Sequence, residues 1–119
     1  MTVPRSRPGL DWASLCQLAH RLPGVEESTS YGTPALKVAG KLVARLWDDG
    51  ETLVLKCDPD ERDLLIEAAP QTFFLTDHYR GYPWILVRLS QAPPQTLERL
   101  FTQAWRSTAP QKLRKELGN

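Results

Sequence analysis

Apolar positions in this chain change period four times. From Trp12 through Leu15, Cys16, Ala19 and Leu22 they recur at three and four, the spacing of one helix face. Asp11 is placed to cap that helix and Pro23-Gly24 to stop it. Between residues 35 and 56 the period drops to two. Three strands are predicted there, over 35–38, 42–47 and 52–56, joined by Ala39-Gly40-Lys41 and Asp48-Asp49-Gly50-Glu51. A three-residue first loop pairs Val38 with Leu42 and Leu36 with Ala44. A four-residue second loop pairs Leu46 with Leu53 and Ala44 with Leu55, so every apolar partner lands on one face.

The helical period returns at Asp58-Pro59-Asp60-Glu61, where a capping carboxylate, a first-turn proline and acidic residues favour a helix start. Leu64, Leu65, Ala68 and Ala69 supply its buried side, and Pro70 ends it. Two more strands are predicted over 72–76 and 84–89, with Ile85, Val87 and Leu89 facing the core and Leu86 and Arg88 turned away. A last helix begins near Pro94 and carries Leu97, Leu100, Phe101, Ala104 and Trp105 on one stripe. Pro110 interrupts it, and 112–117 forms a basic tail of one further helical turn. The order helix, meander, helix, hairpin, helix predicts an α+β domain. Its antiparallel sheet, a three-strand meander plus a hairpin, has helices packed on one face. The 119 residues make one domain, with residues 1–10 and 110–119 as loose ends.

The same register fixes the opposite sheet face: Lys37, Val43, Arg45, Trp47, Thr52, Val54 and Lys56, extended by Leu86 and Arg88. Cations around a large aromatic suit a polyanion or a single-stranded nucleic acid. A solvated sheet face of ordinary kind carries such residues too. Charge is segregated along the chain. Residues 1–47 hold six Lys/Arg against three Asp/Glu, 48–79 two against nine, and 80–119 seven against two. Any nucleic-acid contact therefore belongs to the basic ends, including Arg106, Lys112, Arg114 and Lys115. The overall net charge of +1 is that of no dedicated DNA binder.

No apolar run reaches the length of a membrane span, and no signal-peptide core opens the chain, which makes the expected address cytoplasmic. Chemistry-bearing residues are sparse. Cys16 and His20 share a helix face, but Cys57 and His78 complete no metal-ligand spacing, and Cys16 reads as a core residue. Asp77-His78-Tyr79-Arg80 reads as a turn, because adjacent side chains diverge and no nucleophile is tied to them. Gly32, Gly40, Gly50 and Gly81 are isolated turn glycines rather than a phosphate loop. The sequence carries no catalytic signature, and neither a metal nor a cofactor is assigned.

Leu22-Pro23-Gly24-Val25-Glu26-Glu27-Ser28 and Tyr31-Gly32-Thr33-Pro34-Ala35 resemble the opening of the MmcQ/YjbR-like family. Leu53-Val54-Leu55-Lys56, Asp58-Pro59-Asp60-Glu61, the aromatic stretch from Tyr79 to Trp84, and Ala104-Trp105 follow in the same order. The resemblance implies a CyaY-like α+β fold and a double-wing arrangement proposed to bind DNA. It places the acidic residues Asp58, Asp60, Glu61, Asp63 and Glu67 on the second helix, not on the N-terminal one that iron binding of the CyaY kind would use. The Tyr31-Gly32-Thr33-Pro34 stretch reads as a rigid turn ahead of the meander.

Together these readings point to a binding module that holds DNA or another nucleic acid weakly. The candidate residues are Lys37, Lys41, Arg45, Trp47, Lys56, Tyr79, Arg80, Tyr82 and Arg88. Two alternatives remain open: a protein–protein or homo-oligomeric module using the same face, and a small-molecule or metal binder near the 77–83 loop.

Overall fold

A computed structural model describes residues 11–118, so the expectation for residues 1–10 lies outside the described residues, as does Asn119. Helix α1 (Trp12–Ala19) starts as its capping pattern requires, with Asp11 Oδ1 accepting the Ser14 N–H at 2.9 Å. Leu15, Cys16, Ala19 and Leu22 are buried. The chain then turns at Gly24, whose φ is +77° and whose missing Cβ would stand 2.5 Å from Leu113. Left-handed backbone and close approach both select glycine there.

Six strands follow, all antiparallel: β1 (Val25–Ser30), β2 (Thr33–Val38), β3 (Lys41–Leu46), β4 (Thr52–Lys56), β5 (Phe73–Phe74) and β6 (Trp84–Arg88). Their spatial order is β1-β2-β3-β4-β6-β5. The predicted α+β architecture is the observed one, with a strand added. The pattern does not announce β1, because Glu26, Glu27, Ser28 and Thr29 are all exposed. It is an edge strand held by its pairing with β2 along all six residues. The meander is therefore four-stranded, and β5 shrinks to two residues of the expected five.

The far register is as expected: Leu36 pairs with Ala44, Ala44 with Leu55 and Leu46 with Leu53. The first turn is not. Ala39 (φ +52°) and Gly40 (φ +78°) form a two-residue turn that sets Lys41, rather than Leu42, opposite Val38. A β-bulge repairs the slip: Lys37 pairs with Leu42 while Leu36 pairs with Ala44, so Val43 is the extra residue. The bulge exchanges the faces of two side chains. Val43 is fully buried in the core and Leu42 turns outward, the reverse of the strict alternation read from the sequence.

Helix α3 (Pro94–Thr108) lays its predicted stripe of Leu97, Leu100, Phe101, Ala104 and Trp105 on the inner face of β3 and β4 and against α1. Trp105 Nε1 donates to the Pro23 carbonyl at 2.8 Å, fastening the α1–β1 corner. Helix α2 (Pro59–Ala68) packs on β5 and β6 but presents a different side from the one expected. Leu64 is 67% exposed and Ala68 is exposed, whereas Arg62 is buried beside half-buried Leu65, Ile66 and Ala69. Arg62 sets that rotation by donating through Nη1 to the Tyr82 carbonyl at 2.9 Å. The C-terminal stretch expected to be loose instead forms α4 (Gln111–Glu116), with Leu113 and Leu117 packed on the core. No helix among the described residues is long and apolar enough to cross a membrane.

Candidate functional site

The side chains that alternate with the core residues build the outer sheet face. Across β2, β3, β4, β6 and β5, one row of register partners runs Ala35, Arg45, Val54, Leu86, Phe74. Ala35, Val54 and Leu86 are buried although they lie outside the inner core cluster. This face is therefore partly covered rather than openly solvated. The β1–β2 turn and the 77–83 loop stand over it.

Between that cover and the sheet lies a groove of about 720 Å³. Leu42, Arg45 and Val54 line its base, Tyr31 comes from the β1–β2 turn, and His78, Tyr79 and Tyr82 come from the loop; Trp84 of β6 completes it. The Arg45 guanidinium is held in place by neutral partners. Nη1 donates to Thr33 Oγ1 at 2.8 Å, Nη2 lies 3.5 Å from the Tyr79 hydroxyl, and the group sits 5.2 Å from the Tyr31 ring centroid. Among the described residues no carboxylate comes within ion-pair distance of it. His78 packs edge-on against Tyr79, with centroids 4.8 Å apart.

The structure brings three of the sequence candidates into this groove: Arg45, Tyr79 and Tyr82. Lys37 and Lys56 flank it by register, Lys37 beside Leu42 and Lys56 beside Trp84, and both are half-buried. Lys56 also borders a smaller depression of about 280 Å³ with Cys57, Glu61 and Ser107. Lys41 drops out of the surface, since its position opposite buried Val38 puts it in the phase of the inner face. Trp47 is no free platform: half-buried, it meets Phe74 edge-on at 6.2 Å. Arg88 lies 4.1 Å over the same Phe74 ring and donates to the Gln71 carbonyl. Arg80 is paired with Asp77 at 3.0 Å.

Sequence reasoning missed Tyr31, Leu42, His78 and Trp84 as groove residues. Strand phase was enough to find Trp84, which alternates with buried Ile85. Leu42 was hidden by the bulge and Tyr31 by its reading as a turn residue.

Acidic groups bound the surface on one flank. Asp48 and Asp49 share a depression of about 410 Å³ with Arg45 and Trp47. Partial burial pushes the Asp49 carboxyl up, but hydrogen bonds from the Glu51 and Thr52 N–H groups and the Thr52 hydroxyl outweigh it and leave the group below its usual range. That flank is therefore negative at neutral pH. Elsewhere, Asp58 caps α2, Glu61 pairs with Arg99 at 2.8 Å, and His20 meets Glu27 at 2.8 Å. Among the described residues no three His, Cys, Asp or Glu side chains gather where a metal ion could be held. The groove thus offers a cation at its base and π faces around its mouth, an arrangement for a planar group carrying negative charge.

Comparison with known proteins places the chain in a family. A YjbR family model matches residues 20–107, most of the chain. The chain belongs to the YjbR family. Uncharacterized proteins of Mycobacterium bovis and Mycobacterium tuberculosis are 45% identical to this YjbR chain over 49 residues, 41% of its length. The alignment spans only 38% of those relatives' own length. The crystal structure of a Deinococcus radiodurans protein with a DUF419 domain shares the YjbR chain's fold, with a TM-score of 0.74 at 23% identity. That match covers 97% of this chain and 92% of the other.

Proposed function

We propose that this YjbR chain is a nucleic-acid-binding module whose contact surface is the outer sheet face centred on Arg45. The observation that carries the reading is the Arg45 guanidinium, steered by Thr33 and Tyr31 and left without a carboxylate partner among the described residues. Such a group has donors to spare for a phosphate. Lys37 and Lys56 add charge on either side, and neither makes an ion pair among the described residues. The acidic flank at Asp48 and Asp49 limits how far a phosphate chain can run, which keeps affinity modest and strongly dependent on salt.

The test is a titration of intrinsic tryptophan fluorescence with mixed-sequence DNA, both single- and double-stranded, at low and high salt. The expected result is saturable quenching at low salt that weakens as salt rises, with Arg45→Ala losing about tenfold in affinity, as removal of a charge-assisted contact predicts. Absence of binding at low salt, or unchanged affinity in both Arg45→Ala and Lys37→Ala, defeats the reading.

A further inference from the structure

We infer that the groove takes an unpaired base, so that the form of nucleic acid recognised is single-stranded; the inference rests on the reading just given. Three large apolar side chains are prominently exposed among the described residues, and two of them, Tyr31 (89%) and Tyr82 (58%), border this one groove. Solvated rings beside a cation are stacking platforms, and Tyr31, although the Arg45 guanidinium lies 5.2 Å from its ring centroid, keeps most of its surface open to solvent. Leu64, the third, lies on α2 and takes no part in the groove.

Tyr31 is also held where its residue type is costly. Its φ is +55° and that of Gly32 is +80°, so the two form a β1–β2 turn with left-handed backbone at both positions. Asn or Gly adopts that conformation with little strain, whereas a bulky aromatic does so at a cost. The turn alone gives no reason for a tyrosine. A ring placed over the groove, next to the Arg45 guanidinium, does give one.

The remaining geometry separates one strand from two. The groove volume of about 720 Å³ lies in the range that accepts a single small ligand, hence one nucleotide. A duplex keeps its bases stacked and offers only their edges, which are read by an element that protrudes into a groove of the DNA. Here the reading surface is concave. The phosphate rails of a duplex would moreover spread toward Asp48 and Asp49. An unpaired base instead stacks on Tyr82 and Tyr31, while its neighbouring phosphates reach Arg45, Lys37 and Lys56. Three such contacts set the salt dependence: for single strands the slope of log K against log salt is about −2.

The experiment is fluorescence anisotropy with a labelled mixed-sequence DNA 12-mer, single-stranded and annealed to its complement, using the full chain across a salt series. The single strand is expected to bind at least tenfold tighter than the duplex, with a slope of about −2. Tyr82→Ala and Tyr31→Asn are each expected to weaken the single strand about tenfold and leave the duplex unchanged, while Tyr31→Phe binds as the parent does. Tyr31→Asn separates recognition from folding, because it relieves the turn and holds or raises the melting temperature while affinity falls. Equal or tighter duplex binding, or single-strand affinity untouched by both Tyr82→Ala and Tyr31→Asn, overturns strand selection but leaves nucleic-acid binding standing. No binding to either DNA at low salt defeats both.

Discussion

Arg62 and the two cysteines are the residues whose chemistry is most altered by where the fold puts them. Arg62 is buried, and its guanidinium serves the Tyr82 carbonyl at 2.9 Å, the Trp84 carbonyl at 3.5 Å and Asp63 at 3.2 Å. It therefore fixes the strand end and loop that carry two groove aromatics. Arg62→Met leaves those carbonyls short of a donor, and should cost about 2 kcal/mol in chemical denaturation and loosen groove binding together. Burial pushes the Cys16 thiol up to about 11, with Glu27 adding to it, and pushes Cys57 to about 11, aided by Glu61 and Asp58. Both thiols are therefore protonated at pH 8 and should react with a thiol reagent only after denaturant is added. A raised folded value also sets the sign of the alkaline response. The stabilising contribution is complete below the usual 9.0 and is lost as pH rises toward about 11. Thermal melts between pH 8 and pH 11 should show that decline, with a shallower slope in Cys57→Ala; a melting temperature flat over the range would contradict it.

At the scale of elements, the β3 bulge decides which side chains belong to the core and which to the groove. Alternation assigns Val43 outward and Leu42 inward, and the extra residue reverses both. Val43→Ala should therefore cost about 2–3 kcal/mol in denaturant unfolding, and Leu42→Ala about 1 kcal/mol or less. Equal costs, or the opposite ranking, would put the bulge elsewhere. The bulge also shows what a sequence carries and what it hides. The apolar pairs Leu36–Ala44 and Leu46–Leu53 are legible because any other register separates them. The slip at Ala39-Gly40 is not, because bulge and short turn cancel beyond Leu42 and leave the same pairing as a longer loop. β1 is hidden for another reason: an edge strand with polar side chains at Glu26, Glu27, Ser28 and Thr29 buries little of its own, so it has no period to read. Those charges at an exposed edge also discourage further strand pairing. The facing of α2 depended on one arginine reaching backbone carbonyls twenty and more residues away, a contact no local pattern contains.

For the whole molecule, the two sheet faces are buried unequally. The inner face and α1 and α3 hold Leu15, Leu53, Leu55, Ile85, Phe101 and Trp105 fully buried. The outer face buries a narrow strip of Ala35, Val54 and Leu86, with Thr33 and Thr52, beside side chains that are themselves half-buried or exposed. Stability should therefore reside on one side of the sheet and binding on the other. The site was half legible for the same reason: strand phase put Arg45 on the outer face, but the rings that surround it come from a turn and a loop, where no period guides the reading. Truncating the inner face tests the division. Phe101→Ala and Leu53→Ala each open a cavity in packed surroundings and should cost about 3–5 kcal/mol. Arg45→Ala and Tyr82→Ala remove side chains with solvent on one side and should stay within about 1 kcal/mol of the parent, while binding falls. Denaturant melts and anisotropy on the same four variants give the comparison directly. Groove variants as unstable as the core variants would mean that the outer face is a second core, and that its aromatic rings are there to cover Val54 and Leu86 rather than to meet a ligand.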